Sequence, residues 1–160
     1  MAQRFDYYDD PEAPPANSIR PSAGAYAVKD GAVLLIRRSD NDNWSMPGGA
    51  QDPGESLTRT AIRETLEETG IKIRATGLVG IFTDPRHVVH YTSNDEVRQE
   101  FTVIYRAEYL DGDPAMSDES TDVQWVPLDQ LDDLPMDNSQ RKRLEWARNH
   151  AEPWIDDDGD

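Results

Sequence analysis

The chain has 160 residues, 32 acidic against 16 basic, a net charge of −16 and no cysteine. That length suits one domain able to bury about two-thirds of its unfolded surface, and without cysteine there are no disulfides, thiolate zinc sites or thiol nucleophiles, in keeping with a reducing compartment. The acid excess repels a phosphate backbone, which excludes polymeric nucleic acid as a partner; no apolar run approaches the roughly 20 residues of a membrane span, so a cytoplasmic chain and no membrane partner are expected.

Residues 1–20, "MAQRFDYYDDPEAPPANSIR", carry neither the basic nor the apolar region of a signal peptide and read as an extension that is loose or ordered by docking. The domain spans 21–150. In "AYAVKDGAVLLIRR" the pair Asp30-Gly31 separates two apolar runs, and a two-residue type I′ turn needs the positive φ that this pair tolerates, so a β-hairpin is predicted. The turn-rich "SDNDNWSMPGG" leads into a helix with Ser56 as N-cap and Gly70 as the left-handed residue that ends it. Its apolar stripe is predicted at Ile62, Leu66 and Thr69, with Glu64, Glu67 and Glu68 facing away.

"KIRATGLVGIFTD" follows as a strand, bent or bulged near Gly77 or Gly80. The polar stretch "DPRHVVHYTSNDEVRQ" reads as a binding loop. "FTVIYRAEYL" alternates as a strand, "DVQWVPL" is a short last strand, "LDQLDDL" a turn or brief helix, and "NSQRKRLEWARNH" a final helix. Residues 151–160 form an acidic tail, and the other acid runs read as solvated faces. Short strands mixed with two helices give an α+β class, with the acidic helix against a mixed sheet.

The helix holds the chemistry. Glu64, Glu67 and Glu68 fall at i, i+3 and i+4 spacings, where each like-charge pair costs an isolated helix roughly 0.2–0.5 kcal/mol. A cation must answer them: Arg59 and Arg63 in an ordinary exposed helix, or a metal. Carboxylate oxygens suit Mg²⁺ or Mn²⁺, and magnesium binds through a few carboxylates together with substrate phosphates. Gly48 and Gly49 beside the helix let backbone approach a ligand closely.

The spacing Gly49, five residues, Glu55, seven residues, then "RETLEETGI" resembles the signature of the Nudix hydrolases, G-x5-E-x7-R-E-U-x-E-E-x-G-U with U aliphatic. It matches at Gly49, Glu55, Arg63, Glu64, Glu67, Glu68, Gly70 and Ile71, and departs at Thr65, which is expected to pack on the sheet while bonding a carbonyl one turn back. "NWSMPGG" is similar to the segment that commonly introduces this signature.

The resemblance implies an α/β/α sandwich with a mixed sheet between helices, and hydrolysis of a nucleoside diphosphate linked to another moiety by water attack on phosphorus, with Mg²⁺ or Mn²⁺ as cofactor. It implies Glu67 and Glu68 as principal metal ligands, Glu64 as a further ligand or the group that orients water, a Gly49 or Gly48 carbonyl as another, Arg63 as the residue that orients a box glutamate, and Glu55 as a helper or ligand to a second metal. The general base in such proteins is a box glutamate or a later carboxylate, for which Glu100 is the outside candidate and Glu96 a weaker one. Candidate substrate contacts are Arg38 (with Arg37), Arg86, His87 (with His90 and Tyr91) and Trp44, the last equally a packing residue for the glycine loop. Many relatives are dimers, so a homodimer is an open expectation. The alternative is a catalytically silent domain that senses a nucleotide or docks a partner; loss of box glutamates would favour it, and all four are present.

Overall fold

The computed structural model describes residues 2–157. In chain order the elements are β1 (Arg4–Tyr8), β2 (Ser18–Ile19), β3 (Ser22–Lys29), β4 (Ala32–Arg38), β5 (Trp44–Ser45), β6 (Gly48–Ala50), α1 (Leu57–Thr69), β7 (Lys72–Phe82), β8 (His87–Tyr91), β9 (Glu96–Gln99), β10 (Thr102–Asp111), β11 (Ser120–Pro127), a 3₁₀ turn (Leu128–Asp133) and α2 (Asn138–Asn149).

The principal sheet runs β11-β4-β3-β10-β7, with β5 beside β4 and β6 beside β3. Its β3–β10 pair is parallel and its other pairs are antiparallel, so it is the mixed sheet expected. Alternation along β4 shows why "AVLLI" is apolar without a break. Val33 and Leu35 join the core that holds Leu144 and Ala147 of α2, while Leu34 and Ile36 join the opposite core with Ile71, Ile73 and, at its border, Ile62 of α1. A strand covered on both faces has no polar side. The result is an α+β sandwich with a helix on each face.

Local signals hold where turn chemistry decides. Asp30 and Gly31 adopt φ of 52° and 77°. The Ser56 side chain accepts from the Arg59 N–H, and Gly70 closes α1 with φ of 77° while donating to the Leu66 carbonyl. The β7–β10 pairing slips beside both Gly77 and Gly80, which places the bulges near both glycines.

Three expectations are corrected. The buried side of α1 is Thr60, Ala61, Thr65, Glu68 and Thr69, while Leu66 is 49% exposed. The helix lies rotated from its apolar moment because small Thr and Ala side chains let it approach the sheet and carry Glu68 inward. Thr65 packs as expected, but its Oγ1 has no partner among the described residues; the bond to a carbonyl one turn back is made by Thr69 Oγ1 to Thr65 O, at 2.5 Å. Residues 84–99, predicted as a loop, contain the hairpin β8–β9. Its charges pair largely within it, Arg86 with Asp84, His90 with Asp95 and Arg98 with Glu96, while His87 reaches Asp6 of β1.

The hairpin lies in a second sheet, β1-β8-β9-β2, whose two outer strands come from the N-terminal extension. At the other terminus, Trp154 bridges Gly80 and stacks on Phe82, and Asp156 accepts from the Thr83 N–H, so residues 151–157 are docked rather than forming a free tail. The remainder of the predicted tail, 158–160, lies outside the described residues.

Candidate active site

The β6 turn and α1 position the acidic residues. Gly48 pairs with Gly24 and Gly49 with Ala23 of β3, which fixes the glycine loop beside α1. The Gly48 N–H donates to Glu68 Oε1 at 3.1 Å. Gly49 stands so close to Glu64 that a Cβ on it would lie 2.5–2.8 Å from that carboxylate. A side chain here must therefore displace Glu64. Gly49→Ala is expected to keep the fold, because the obstructed group is a movable side-chain end, yet to weaken divalent-metal affinity about 10- to 100-fold. Calorimetric metal titration with circular dichroism as control would check this; unchanged affinity would mean that Glu64 does not bind metal.

Arg63 is the hub of the loop-helix unit. It grips Glu55 through two bonds, Nε to Oε2 at 2.9 Å and Nη2 to Oε1 at 2.7 Å, and donates to Glu64 Oε1 (3.0 Å), Glu67 Oε2 (3.1 Å) and the Ala50 carbonyl (3.1 Å). The Arg63 bonds, helped by the Asp52 N–H, hold the Glu55 carboxyl down at about 2. Glu67 stays outside the inner group: its side chain is 58% exposed and bonded to Arg63.

The inner group is Glu64, Glu68 and Glu119, whose carboxylate oxygens lie within 4.8 Å of one another. Glu68 is only 3% exposed. Burial, reinforced by neighbouring Glu64, pushes its carboxyl up to about 9. The charged form of buried Glu68 beside Glu64 is costly unless a further cation answers it, and carboxylate oxygens this close together suit Mg²⁺ or Mn²⁺. The donor set therefore fits the metal that the sequence implies. Glu119 escaped the sequence reading because it stands in an acid run, "DGDPAMSDESTD", that resembles any solvated loop. Its position depends on the bond from the Ser39 N–H to the Glu119 carbonyl, where β11 begins to pair with β4.

From Gly48 and Gly49 a cleft leads away under β3 and the β8–β9 hairpin, and Arg38, His87 and Glu100 line it. Two other substrate candidates do not. Trp44 is 8% exposed within the core beneath α2, held there by its apolar surface. Arg86 is drawn to Asp84 by a forked pair and lies over the Tyr8 ring, apart from the cleft.

Glu100 is buried, and its Oε2 meets both His87 Nδ1 and Arg143 Nη2, the latter at 3.0 Å. Burial alone would raise its pKa, but the His87 bond and the Arg143 charge prevail and hold it below the usual carboxylate range. A carboxylate so stabilised is a poor proton acceptor. Glu100 is therefore a structural anion of the cleft wall rather than a base, and Glu119 is the later carboxylate that stands with the box glutamates. Glu96, the weaker candidate, is taken up by Arg98 and Ser18.

His87 stands between Glu100 and Asp6 of β1, with Nε2 2.7 Å from Asp6 Oδ1. Arg143 faces it across Glu100, and Arg4 across Asp6, at 3.2 Å from Asp6 Oδ2. Burial opposes charge on the imidazole, but the bonds to Asp6 and Glu100 outweigh it and raise its pKa above 6.5. The stabilisation is complete below 6.5 and is lost as pH rises through the raised folded-state value. The Tm difference between wild type and His87→Asn should accordingly shrink across that alkaline interval; a gap independent of pH would mean that His87 is neutral when folded.

Residues 18–147 match the family model of the NUDIX domain. A MutT-like protein of Streptomyces ambofaciens is 31% identical over 119 residues, which cover 74% of this chain and 70% of that one. A putative 8-oxo-dGTP diphosphatase of Bacillus subtilis is 33% identical over 112 residues, 69% of this chain and 67% of that one. Among solved structures, a MutT NUDIX hydrolase from Burkholderia pseudomallei superposes with a TM-score of 0.66 at 29% identity, covering 81% of this chain and 98% of that one.

Proposed function

The chain belongs to the Nudix hydrolase family, and from that premise we propose that it is a Mg²⁺- or Mn²⁺-dependent pyrophosphohydrolase of nucleoside diphosphate derivatives. The observation that carries the reading is the convergence of Glu64 and Glu68 with Glu119 beside a glycine loop, in a chain that retains every box glutamate. Bound divalent cation would neutralise the diphosphate and acidify water there. The protein's own groups do the rest.

Glu64, Glu68 and Glu119 supply the oxygens that hold the cation, and the Gly48 N–H fixes the Glu68 carboxylate from behind. Arg63 fixes Glu64 relative to the loop through its simultaneous hold on Glu55 and Ala50. Glu119 lies on the exposed side of the group, where it either completes the ligand set or, left off the cation, takes the proton of the attacking water. The oxygen–phosphorus bond forms as the anhydride bond breaks, and the displaced phosphate departs with the bridging oxygen. Both nucleoside triphosphates, the class named for the Bacillus relative, and ADP-ribose-like compounds carry the required diphosphate.

A hydrolysis screen over both classes with Mg²⁺ or Mn²⁺, reading phosphate against pyrophosphate release, tests the proposal. Wild type should turn over at least one compound, and Glu68→Gln and Glu119→Gln should be impaired. Absence of metal-dependent turnover on any diphosphate would favour a silent nucleotide-sensing domain instead.

A further inference from the structure

We infer that the cleft leading from the glycine loop ends in an anion subsite, built by Arg4, Arg20, Arg98 and Arg143, that takes a phosphate group of the substrate beyond the diphosphate held at the acidic end. This rests on the diphosphate reading of that acidic end.

The distribution of charge comes first. In a chain with a net charge of −16, five of the 16 basic residues line one cleft, the four above and Arg38. Four of the five are braced by carboxylates: Arg38 by Asp40 at 2.8 Å, Arg4 by Asp137 at 2.7 Å and Asp6 at 3.2 Å, Arg98 by Glu96 at 2.8 Å, and Arg143 by Glu100 at 3.0 Å. A guanidinium has five N–H donors, and one carboxylate occupies two at most in a forked pair. Bracing therefore fixes each planar group while leaving donors over.

Those remaining donors are visible. Arg143 is only 5% exposed and lines the cleft, and among the described residues neither its buried Nε nor the buried Nε of Arg4 has a hydrogen-bond partner. A buried donor left unmade costs free energy, so native proteins seldom retain one without a purpose. Arg20 makes no ion pair among the described residues and is exposed at the cleft's edge. Arg4 and Arg98 are close enough for their like charges to oppose each other. Cations gathered in a partly dry cavity are stabilised when an anion with several acceptor oxygens enters, and phosphate offers three.

Topology makes this site part of the substrate cleft. Arg4 stands on β1 opposite Tyr91, Arg98 on β9 opposite Val89, and Arg20 just after β2, so the second sheet forms the cationic wall. Arg38, at the other end of the row, shares the cleft with Gly48 and Gly49. A substrate whose diphosphate meets the box glutamates can thus extend a further phosphate along the same groove. Arg4, contributed from outside the residues that match the family model, makes the extension a substrate-binding element.

The test is calorimetric titration of the full chain with inorganic pyrophosphate in EDTA, which removes the metal from the acidic end. Wild type should bind. Arg4→Ala and Arg20→Ala should each weaken binding roughly tenfold, the loss of one charge-assisted bond, and Arg59→Ala on the exposed face of α1 should leave it unchanged. Because Arg4 also anchors β1, Arg20→Ala, which breaks no ion pair among the described residues, decides if the Arg4 variant misfolds. ATP added to the pyrophosphate complex should displace the pyrophosphate. No binding, equal binding by wild type and Arg20→Ala, or ATP and pyrophosphate bound together would overturn the inference. Failure of every nucleotide in the hydrolysis screen would sink the proposed function while leaving this titration readable.

Discussion

Replacing Glu68 by Gln should abolish detectable turnover, a loss of at least about 10²-fold as expected when a metal ligand is removed, and at the same time raise the stability of the metal-free protein. The two signs come from one feature. Glu68 is buried beside Glu64, and burial pushes its carboxyl up to about 9. Its charged form is therefore costly in the folded chain and is worth keeping only when a cation answers it. The amide is nearly the same size and has no charge to desolvate, so a gain on the order of 1 kcal/mol, or several degrees in Tm, is expected without metal. Saturating Mg²⁺ should raise the Tm of wild type by mass action and that of Glu68→Gln much less. Thermal melts with and without EDTA check both halves; a variant less stable than wild type in EDTA would show that Glu68 serves the fold rather than a metal.

Arg63→Lys should lower kcat/KM by about 10²-fold, the scale of a misplacement near 1 Å at a reacting centre, although charge is conserved. Arg63 makes five bonds to four groups at once, and the forked grip on Glu55 needs two donors in a plane. An ammonium is a point charge that reaches one or two of these oxygens. Glu55, Glu64 and the Ala50 carbonyl would separate, and the loop would no longer be fixed against the helix. Stability should fall by roughly 1–3 kcal/mol, because acids now held by Arg63 would face one another. Urea melts combined with steady-state kinetics separate the effects. Activity near that of wild type would show that Arg63 only screens charge.

The sequence by itself determined those features whose causes lie within a few residues. Asp30-Gly31 tolerates positive φ between two apolar runs, and Gly70 ends a helix for the same reason. The loop and helix of the metal site were legible because Gly49, Glu55, Arg63 and the three helix glutamates are near neighbours in the chain, and helical spacing alone brings the last four together.

Tertiary structure decided what depends on distant segments meeting. Glu119 joins Glu64 and Glu68 only because β11 returns against β4, and its acid run carries no local mark of that return. Glu100, a candidate base by sequence, is enclosed by His87 and Arg143, 13 and 43 residues away, which no local signal announces. The extension showed no period because β1 has one edge on β8 and no apolar face of its own to announce. Leu66 lies outward although helical periodicity places it inward, since the approach of α1 is set by Gly48, Gly49 and the burial of Glu68 rather than by its own moment. Turn chemistry and periodicity are short-range energies written residue by residue; a partner across the fold is chosen only when the whole chain closes around it.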